Sequence, residues 1–164
     1  MDSFHATNLG IIAIHEHNIA YLRRAIDRGA DLIRLLEITI EQQDIEMMKE
    51  ILKHPIDFED SDFLYRAIRS QNLEMTRLLL NAGADVNSLY EYTTPLHTAV
   101  LNTYGLDMVG LLLEYGANSN LLDYDDATPS QLARRLDEHD MAKFIEDYYN
   151  EDIKEPVEDY ESDY

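Results

Sequence analysis

The side chains of this sequence that could carry out chemistry are few, and their spacing argues against a catalytic or metal site. His15 and His17 are separated by one residue, and residues two apart on a helix point in different directions. No third ligand follows at a suitable spacing. The 164 residues contain no cysteine, which excludes a disulfide, a thiolate metal site and a cysteine nucleophile. No glycine-rich phosphate loop, paired-carboxylate site or nucleophile motif occurs, so we predict no catalytic residue, no metal and no cofactor.

The dominant pattern is instead a ten-residue phrase that occurs twice. It reads LLLNAGADVN at 78–87 and LLLEYGANSN at 111–120, 33 residues later. The leucines predict the end of a buried helix, and the glycine supplies the left-handed residue that ends it. Repetition at this spacing is typical of a solenoid, in which one supersecondary unit buries its apolar face only against its neighbours.

Helix start signals recur at nearly the same spacing. Thr94-Pro95 precedes the second phrase, and Thr128-Pro129 lies 34 residues further along the chain. The threonine caps a helix, and the proline lies in the first turn, where its missing N–H is not needed. Each unit is therefore predicted to be a helix, a short turn, a second helix that ends at glycine, and an extended loop.

These residues resemble the ankyrin repeat family, whose pattern combines Thr-Pro-Leu-His, an apolar second helix and Gly-Ala-Asp-Val-Asn. The resemblance implies an all-α ankyrin-repeat solenoid of about five helix-turn-helix repeats with short β-turn fingers between them. The best match is 94–120, and further copies are assigned to 17–31, 44–57, 63–87 and 128–149, the last as a closing cap.

The early copies depart from the family pattern. Pro55 occupies the glycine position of the second copy, 26 residues after Gly29 and 28 before Gly83. These short intervals predict that the first two junctions lack a full β-hairpin. The fourth copy has an extra residue in its inter-helix turn, 102–105, and insertions on one face of a solenoid often mark the binding face.

The net charge of -20 at pH 7 excludes several classes of partner. Nucleic acid and anionic membranes would be repelled by it. Part of the charge lies in an acidic, tyrosine-containing stretch at 148–164 with too few aliphatic residues to fold alone, so we predict a repeat domain at 1–147 and a disordered tail after it. The tail either only solubilises the protein or docks as an acidic arm on a basic surface.

No apolar run approaches the roughly 20 residues of a membrane-spanning helix. The start of the chain lacks the positive flank and apolar stretch of a secretory signal. We therefore expect an intracellular protein of the cytoplasm or the nucleus, and of the host cytoplasm if the protein is viral.

Two sets of unusual side chains are expected to be structural. The resemblance implies that His97 hydrogen-bonds from its imidazole to the neighbouring loop and is not a catalytic base. Methionines are found at second-helix positions that pack between repeats: Met47, Met48, Met75, Met108 and Met141.

The resemblance implies that partners are held by the finger tips and by the exposed ends of the first helices. Tyrosine at a loop tip offers a large, rigid contact area with a polar end, and Tyr92 replaces the glycine usual at its turn. The predicted partner is a protein with a basic, partly apolar surface, although ordinary solvated loops would show similar residues. The predicted contacts are Tyr90, Glu91, Tyr92, Tyr124, Asp125 and Asp126 on the fingers, and Glu41, Arg69, Asn102 and Tyr104 at the inter-helix turns.

Two non-enzymatic functions are compatible with this layout, and we expect a free monomer in both. One is a stoichiometric binder or inhibitor, similar to the inhibitory IκB proteins, in which repeats and an acidic tail cover a basic factor. The sequence DIEMM at 44–48 and the short loops also look like poxviral host-range ankyrin proteins. The alternative is an adaptor that presents a client protein to a ubiquitin ligase or another complex. An enzyme is the least favoured reading.

Overall fold

The computed structural model describes residues 2–59, 61–103 and 105–151, which form ten α-helices in five helix-turn-helix pairs. The all-α solenoid of five repeats is therefore confirmed. In chain order the pairs are α1 (Ser3–His15) with α2 (Ile19–Asp27), α3 (Leu32–Gln42) with α4 (Ile45–Ile51), α5 (Phe63–Arg69) with α6 (Leu73–Asn81), α7 (Pro95–Leu101) with α8 (Gly105–Glu114), and α9 (Pro129–Arg135) with α10 (His139–Glu151).

The helices form two layers. The first helices of successive pairs pack in the series α1, α3, α5, α7 and α9, and the second helices pack in the series α2, α4, α6, α8 and α10. One continuous apolar core lies between the layers. Its members include Leu79 and Leu112, each the middle leucine of its repeated phrase and each 0% exposed. The methionines predicted for the core are all buried: Met47, Met48, Met75, Met108 and Met141.

Side-chain caps explain where many of the helices begin. Asn18, Asp44 and Asn72 precede α2, α4 and α6, and each accepts a hydrogen bond from the backbone N–H three residues further on. Thr94 caps α7 in the same way. Thr128 caps α9, and the Gln131 side chain bonds back to the Thr128 N–H, which completes a capping box.

The second helices end differently at glycine and at proline. Gly29, Gly83 and Gly116 have φ of 81°, 103° and 85°, and each N–H donates to a carbonyl three residues back. Pro55 has no N–H to donate, and the residue before a proline is disfavoured in a helix. Accordingly α4 has 7 residues where α2 and α6 have 9.

The early junctions are irregular, as predicted. Residues 28–31 join α2 directly to α3, and the described part of 52–62, between α4 and α5, contains no β-bridge. Within the described residues the β-type pairing is limited to one isolated antiparallel bridge between Tyr90 and Thr93. Positive φ occurs at Thr103, in the turn between α7 and α8, and at Gly105, the first residue of α8, while Tyr104 lies outside the described residues.

At the carboxyl end, α10 extends to Glu151. The boundary predicted between 147 and 148 therefore falls inside this helix, and residues 152–164 of the predicted tail lie outside the described part of the chain. No helix in the described ranges is both long and apolar enough to cross a membrane.

Candidate functional site

The loop before α7, which we call the fourth finger (88–93), ends in a tight hairpin turn. Tyr90 N–H donates to the Thr93 carbonyl and Thr93 N–H donates to the Tyr90 carbonyl, each at 3.0 Å. The two residues between them, Glu91 and Tyr92, have φ of 49° and 62°. Positive φ at both central positions is the geometry that Asn-Gly usually supplies. Tyr92 thus occupies a glycine-like position, as predicted, with a side chain that is 78% exposed.

Tyr65 of α5 holds the fourth finger against the helices. Its hydroxyl lies 2.7 Å from the carbonyl oxygens of both Ser88 and Thr93, so its one hydrogen can be donated to either. Its ring packs at a tilt against the ring of Tyr90, with centroids 5.1 Å apart. Burial raises the pKa of the Tyr65 phenol to about 12, so it stays a hydrogen-bond donor at neutral pH.

The fifth finger (121–127), before α9, is organised by Asp123. This residue is buried, and its Oδ1 accepts from the backbone N–H of Asp125 at 2.9 Å and of Ala127 at 3.0 Å. The Asp123 N–H also donates to the Ala127 carbonyl at 3.0 Å. Tyr124 projects from the turn and is 64% exposed.

His97 of α7 holds the fifth finger, which confirms the expected structural role. Its Nε2 lies 2.9 Å from the Ala127 carbonyl oxygen, and its Nδ1 lies 2.8 Å from Thr94 Oγ1. A carbonyl can only accept, so Nε2 carries the hydrogen and Nδ1 accepts from the Thr94 hydroxyl. Burial lowers the pKa of His97, which favours this neutral form.

A groove of about 300 Å³ runs between the two fingers and the ends of α5 and α7. We call it the tyrosine groove. It brings together five of the residues predicted to bind a partner. The exposed side chain of Leu101, at the end of α7, also lines it. The five predicted residues are Tyr90, Glu91, Tyr124, Arg69 and Asn102.

Other predicted contacts lie elsewhere or already have structural partners. Glu41 Oε1 accepts from Arg66 Nη2 at 2.8 Å, and the Asn102 side-chain amide donates to the Thr98 carbonyl at 2.7 Å. Tyr90 is only 37% exposed because of its contact with Tyr65. Tyr90, one of the predicted partner contacts, therefore also packs within the fold. The predicted residues outside the tyrosine groove are Tyr92, Asp125 and Asp126 on the fingers, and Glu41 on α3.

The histidines near the first turn have different neighbours. His15 Nδ1 lies 2.7 Å from Gln42 Nε2, and His17 Nδ1 lies 2.8 Å from Asp44 Oδ2. Among the described residues no group of three or more histidine, aspartate or glutamate side chains could hold a metal ion.

Comparison with known proteins identifies the repeat. The family model for the ankyrin repeat matches residues 64–89 and 92–124, which include 88–89 and 92–93 of the fourth finger and 121–124 of the fifth. The chain belongs to the ankyrin repeat family. The matched ranges begin in α5 and end in the fifth finger, and the helix pairs outside these ranges stack on the matched ones.

Several ankyrin repeat proteins of known sequence are similar to this chain. An ankyrin repeat protein of fowlpox virus is 35% identical over 83 residues, covering 46% of this chain and 15% of the relative. Ankyrin repeat and SOCS box protein 5 of Bos taurus is 42% identical over 79 residues, or 44% of this chain and 24% of the relative. A BTB/POZ domain and ankyrin repeat-containing protein of Pisum sativum is 31% identical over 120 residues, or 71% of this chain and 25% of the relative. The chain thus spans a quarter or less of the length of these relatives.

Sequence reasoning missed two residues that shape the ankyrin fingers. Asp123 gives no signal beyond its position four residues before Ala127. Tyr65 does give one, because it is the third residue of α5, and His97 is the third residue of α7. Aligning the helix starts would have placed Tyr65 at the histidine position of the ankyrin motif.

Proposed function

We propose that this ankyrin repeat protein is a non-enzymatic, stoichiometric binder or inhibitor of a protein with a basic, partly apolar surface. The contact surface consists of the tyrosine groove and the exposed tips of the two fingers. The family itself supports a protein-protein interaction module, and the similarity to a fowlpox virus protein supports a viral host-range version of the proposal. The expected location is the cytoplasm or nucleus of the cell that contains the partner.

The observation that carries the proposal is the conformation of Tyr92. A left-handed conformation destabilises a residue other than glycine by roughly 1–2 kcal/mol. Tyr92 has φ of 62° and remains 78% exposed, so burial of its ring offsets little of this strain. Strain of this kind, found on an exposed aromatic at a loop tip, is characteristic of functional sites.

Charge supports a basic partner. Glu91, Asp125 and Asp126 are exposed on the fingers, and none of them forms an ion pair with another described residue. These carboxylates add to the net charge of -20, which repels a second copy and attracts a cationic surface. The free protein is accordingly proposed to be a monomer.

Site-specific photocrosslinking tests this placement. Benzoylphenylalanine is introduced in place of Tyr92 or Tyr124 on the fingers, and in place of Tyr21 on α2 as the control. Tyr21 is also an exposed tyrosine, at 42%, but it belongs to the second-helix layer. We expect one protein to be captured at both finger positions and not at Tyr21. Capture at Tyr21 alone would move the interface to the opposite layer.

The captured protein then allows a quantitative test. Changing Tyr92 and Tyr124 together to alanine should weaken its binding by at least ~2 kcal/mol, as the loss of aromatic anchors does. Tyr90 is left unchanged, because its contact with Tyr65 would mix binding with stability. Unchanged affinity of a folded double variant would contradict the proposal.

The alternative is an adaptor that presents a client to a ubiquitin ligase or another complex. It is favoured by relatives whose names include a SOCS box or a BTB/POZ domain beside the ankyrin repeats. An adaptor must hold two proteins at once. Crosslinking of one protein at Tyr92 and of a different protein at Tyr21, in the same complex, would select this function over simple inhibition.

A further inference from the structure

A second and larger groove lies on the other side of the fourth finger. It has a volume of about 650 Å³ and runs between the irregular loop 52–62 and the loop that follows α6. We call it the loop groove. Tyr90 and Glu91 line both this groove and the tyrosine groove, so the two grooves flank the same finger.

The floor of the loop groove is apolar and firmly supported. Leu64 of α5 is 3% exposed and belongs to the main core. Phe58 is half-buried and packs edge-on against Phe63, with ring centroids 6.4 Å apart. Leu89, on the opposite wall, is 67% exposed. A large exposed leucine over a supported aromatic floor is suited to contact with aliphatic side-chain stems.

The rim of the loop groove is acidic. Four carboxylates line it, two from each loop, and none forms an ion pair with another described residue. Several glutamates elsewhere are paired, for example Glu50 with Arg23 and Glu74 with Lys49. The unpaired rim carboxylates are those of Asp57, Glu59, Asp85 and Glu91.

We propose that the loop groove binds an extended segment of the partner protein that carries arginine or lysine side chains. The aliphatic stems lie on Phe58 and Leu89, and the cationic ends reach the rim carboxylates. The inference rests on the proposed function, because the segment belongs to the same basic partner, and it assigns that partner a second contact.

The Pro55 irregularity builds this site. The regular junction before α7 folds its loop into a tight hairpin, while the described part of 52–62 contains no β-bridge. Asp57 Oδ1 accepts from the Glu59 N–H at 3.0 Å, which turns the loop locally. The irregular loop after Pro55 therefore forms one wall of the groove.

The test uses the full-length protein labelled with ¹⁵N and a synthetic peptide of alternating arginine and leucine as the probe. Backbone amide shifts are followed during titration, with a peptide of alternating glutamine and leucine for comparison. We expect the arginine peptide to shift amides of 56–61 and 85–91 and the glutamine peptide to leave them in place. Shifts spread evenly over all acidic surfaces, or shifts produced equally by calcium chloride, would overturn the proposal.

A charge-matched pair of variants completes the test. Asp57→Asn with Glu59→Gln removes two rim charges, and the asparagine oxygen can still accept the local hydrogen bond. Asp27→Asn with Glu46→Gln removes two exposed charges from the second-helix layer. We expect the rim variant to weaken peptide binding about tenfold, equivalent to roughly 1.4 kcal/mol, and the control variant to have a much smaller effect. Equal effects of the two variants would refute binding of the peptide in the loop groove.

The test of the loop groove can fail without the test of the proposed function failing, and the reverse also holds. If the captured partner loses affinity with the Tyr92 and Tyr124 changes but not with the rim changes, the finger interface stands and the loop groove is refuted. If only the rim changes weaken binding of the partner, the proposal for the loop groove stands and the tyrosine interface is refuted.

Discussion

Tyr65 and His97 perform the same structural task in adjacent repeats with different chemistry. Each is the third residue of its first helix, and each is hydrogen-bonded to the carbonyl of the last finger residue before the next first helix. Tyr65 binds Thr93, and His97 binds Ala127, at 2.7 and 2.9 Å. The position of each finger is therefore fixed by the helix of the preceding repeat, which couples the fingers to the stack.

Removing the hydroxyl of Tyr65 should loosen the fourth finger. Tyr65→Phe keeps the buried ring but loses its hydrogen bond, and we expect the free energy of unfolding to fall by about 1 kcal/mol. Amide hydrogen exchange at Tyr90 and Thr93 should become faster, since these amides close the hairpin. Tyr65→His introduces the residue found at this position in α7 and should restore part of the protection. Unchanged exchange in the phenylalanine variant would show that the finger keeps its conformation without the Tyr65 hydrogen bond.

His97 predicts a loss of stability in mild acid. Burial lowers its pKa in the folded state below the ordinary 6.5, so the unfolded chain binds a proton at a higher pH than the folded chain does. The contribution of His97 is fully present above about pH 6.5 and is lost as the pH falls toward the folded-state value. Urea unfolding at a series of pH values should show this decline. The decline should be smaller in His97→Gln, and equal curves for the two proteins would rule out His97 as its source.

Glu50 predicts a second loss of stability, at lower pH. Its carboxylate lies between repeats and accepts from Arg23 Nε at 2.8 Å, Arg23 Nη2 at 3.0 Å and Lys53 Nζ at 2.6 Å. The hydrogen bonds from Arg23, and then that from Lys53, lower its pKa from 4.5 to about 2. The stability it contributes is present above pH 4.5 and is lost between pH 4.5 and about 2.

Glu50→Gln should therefore reduce the decline in the free energy of unfolding between pH 4.5 and about 2. At neutral pH we expect a loss on the order of 1 kcal/mol, because the side chains of Arg23 and Lys53 are 58% and 60% exposed and can be rehydrated. A double-mutant cycle with Arg23→Gln gives the pair energy directly. A coupling near zero would show that the ion pair does not join the first two repeats energetically.

The sequence predicts the solenoid well because its determinants are local. Caps such as Thr94, terminal glycines such as Gly83 and the leucine triplets each define one helix boundary or one buried stripe, and the 33-residue spacing links them. The same reasoning places Pro55 in the glycine slot, where a helix is not expected to continue. These are effects of one residue on its own backbone.

The candidate site was less predictable because it depends on contacts between repeats. The fingers could be located from the family pattern, and five predicted residues meet in the tyrosine groove. The packing of Tyr90 on Tyr65 and the wall formed by 52–62 join segments from neighbouring repeats. No spacing rule for a single repeat contains that information.

Tyr92 predicts a trade between stability and binding. Tyr92→Gly relieves a left-handed strain of roughly 1–2 kcal/mol, partly offset by the greater freedom of glycine in the unfolded chain. We expect a net stabilisation on the order of 0.5–1 kcal/mol together with weaker partner binding. Tyr124 is the matched control, because it is also an exposed finger tyrosine but has no positive φ. Tyr124→Gly should lower stability, and a similar loss in Tyr92→Gly would show that its turn is not strained.

The acidic stretch after α10 is the last feature to test, and the helix boundary sets the design. Because α10 extends to Glu151, the truncation is placed after that residue so that the repeat stays whole. Residues 152–164 carry six acidic side chains and one lysine. If they dock on the basic partner, their attraction is screened over about 8 Å at physiological salt. Binding of the full-length protein should then weaken as salt rises, and the truncated protein should show a flatter dependence.

The role of charge in this stretch can be separated from that of its aromatic rings. Changing Tyr160 and Tyr164 to serine keeps every carboxylate, so the salt dependence should remain that of the full-length protein. If the stretch only solubilises the protein, truncation should leave the affinity and its salt dependence unchanged while lowering solubility, because repulsion between molecules decreases. Titration of the three proteins at several ionic strengths distinguishes these cases. Identical slopes for the full-length and truncated proteins would exclude a docking arm and confine the interface to the ankyrin repeats.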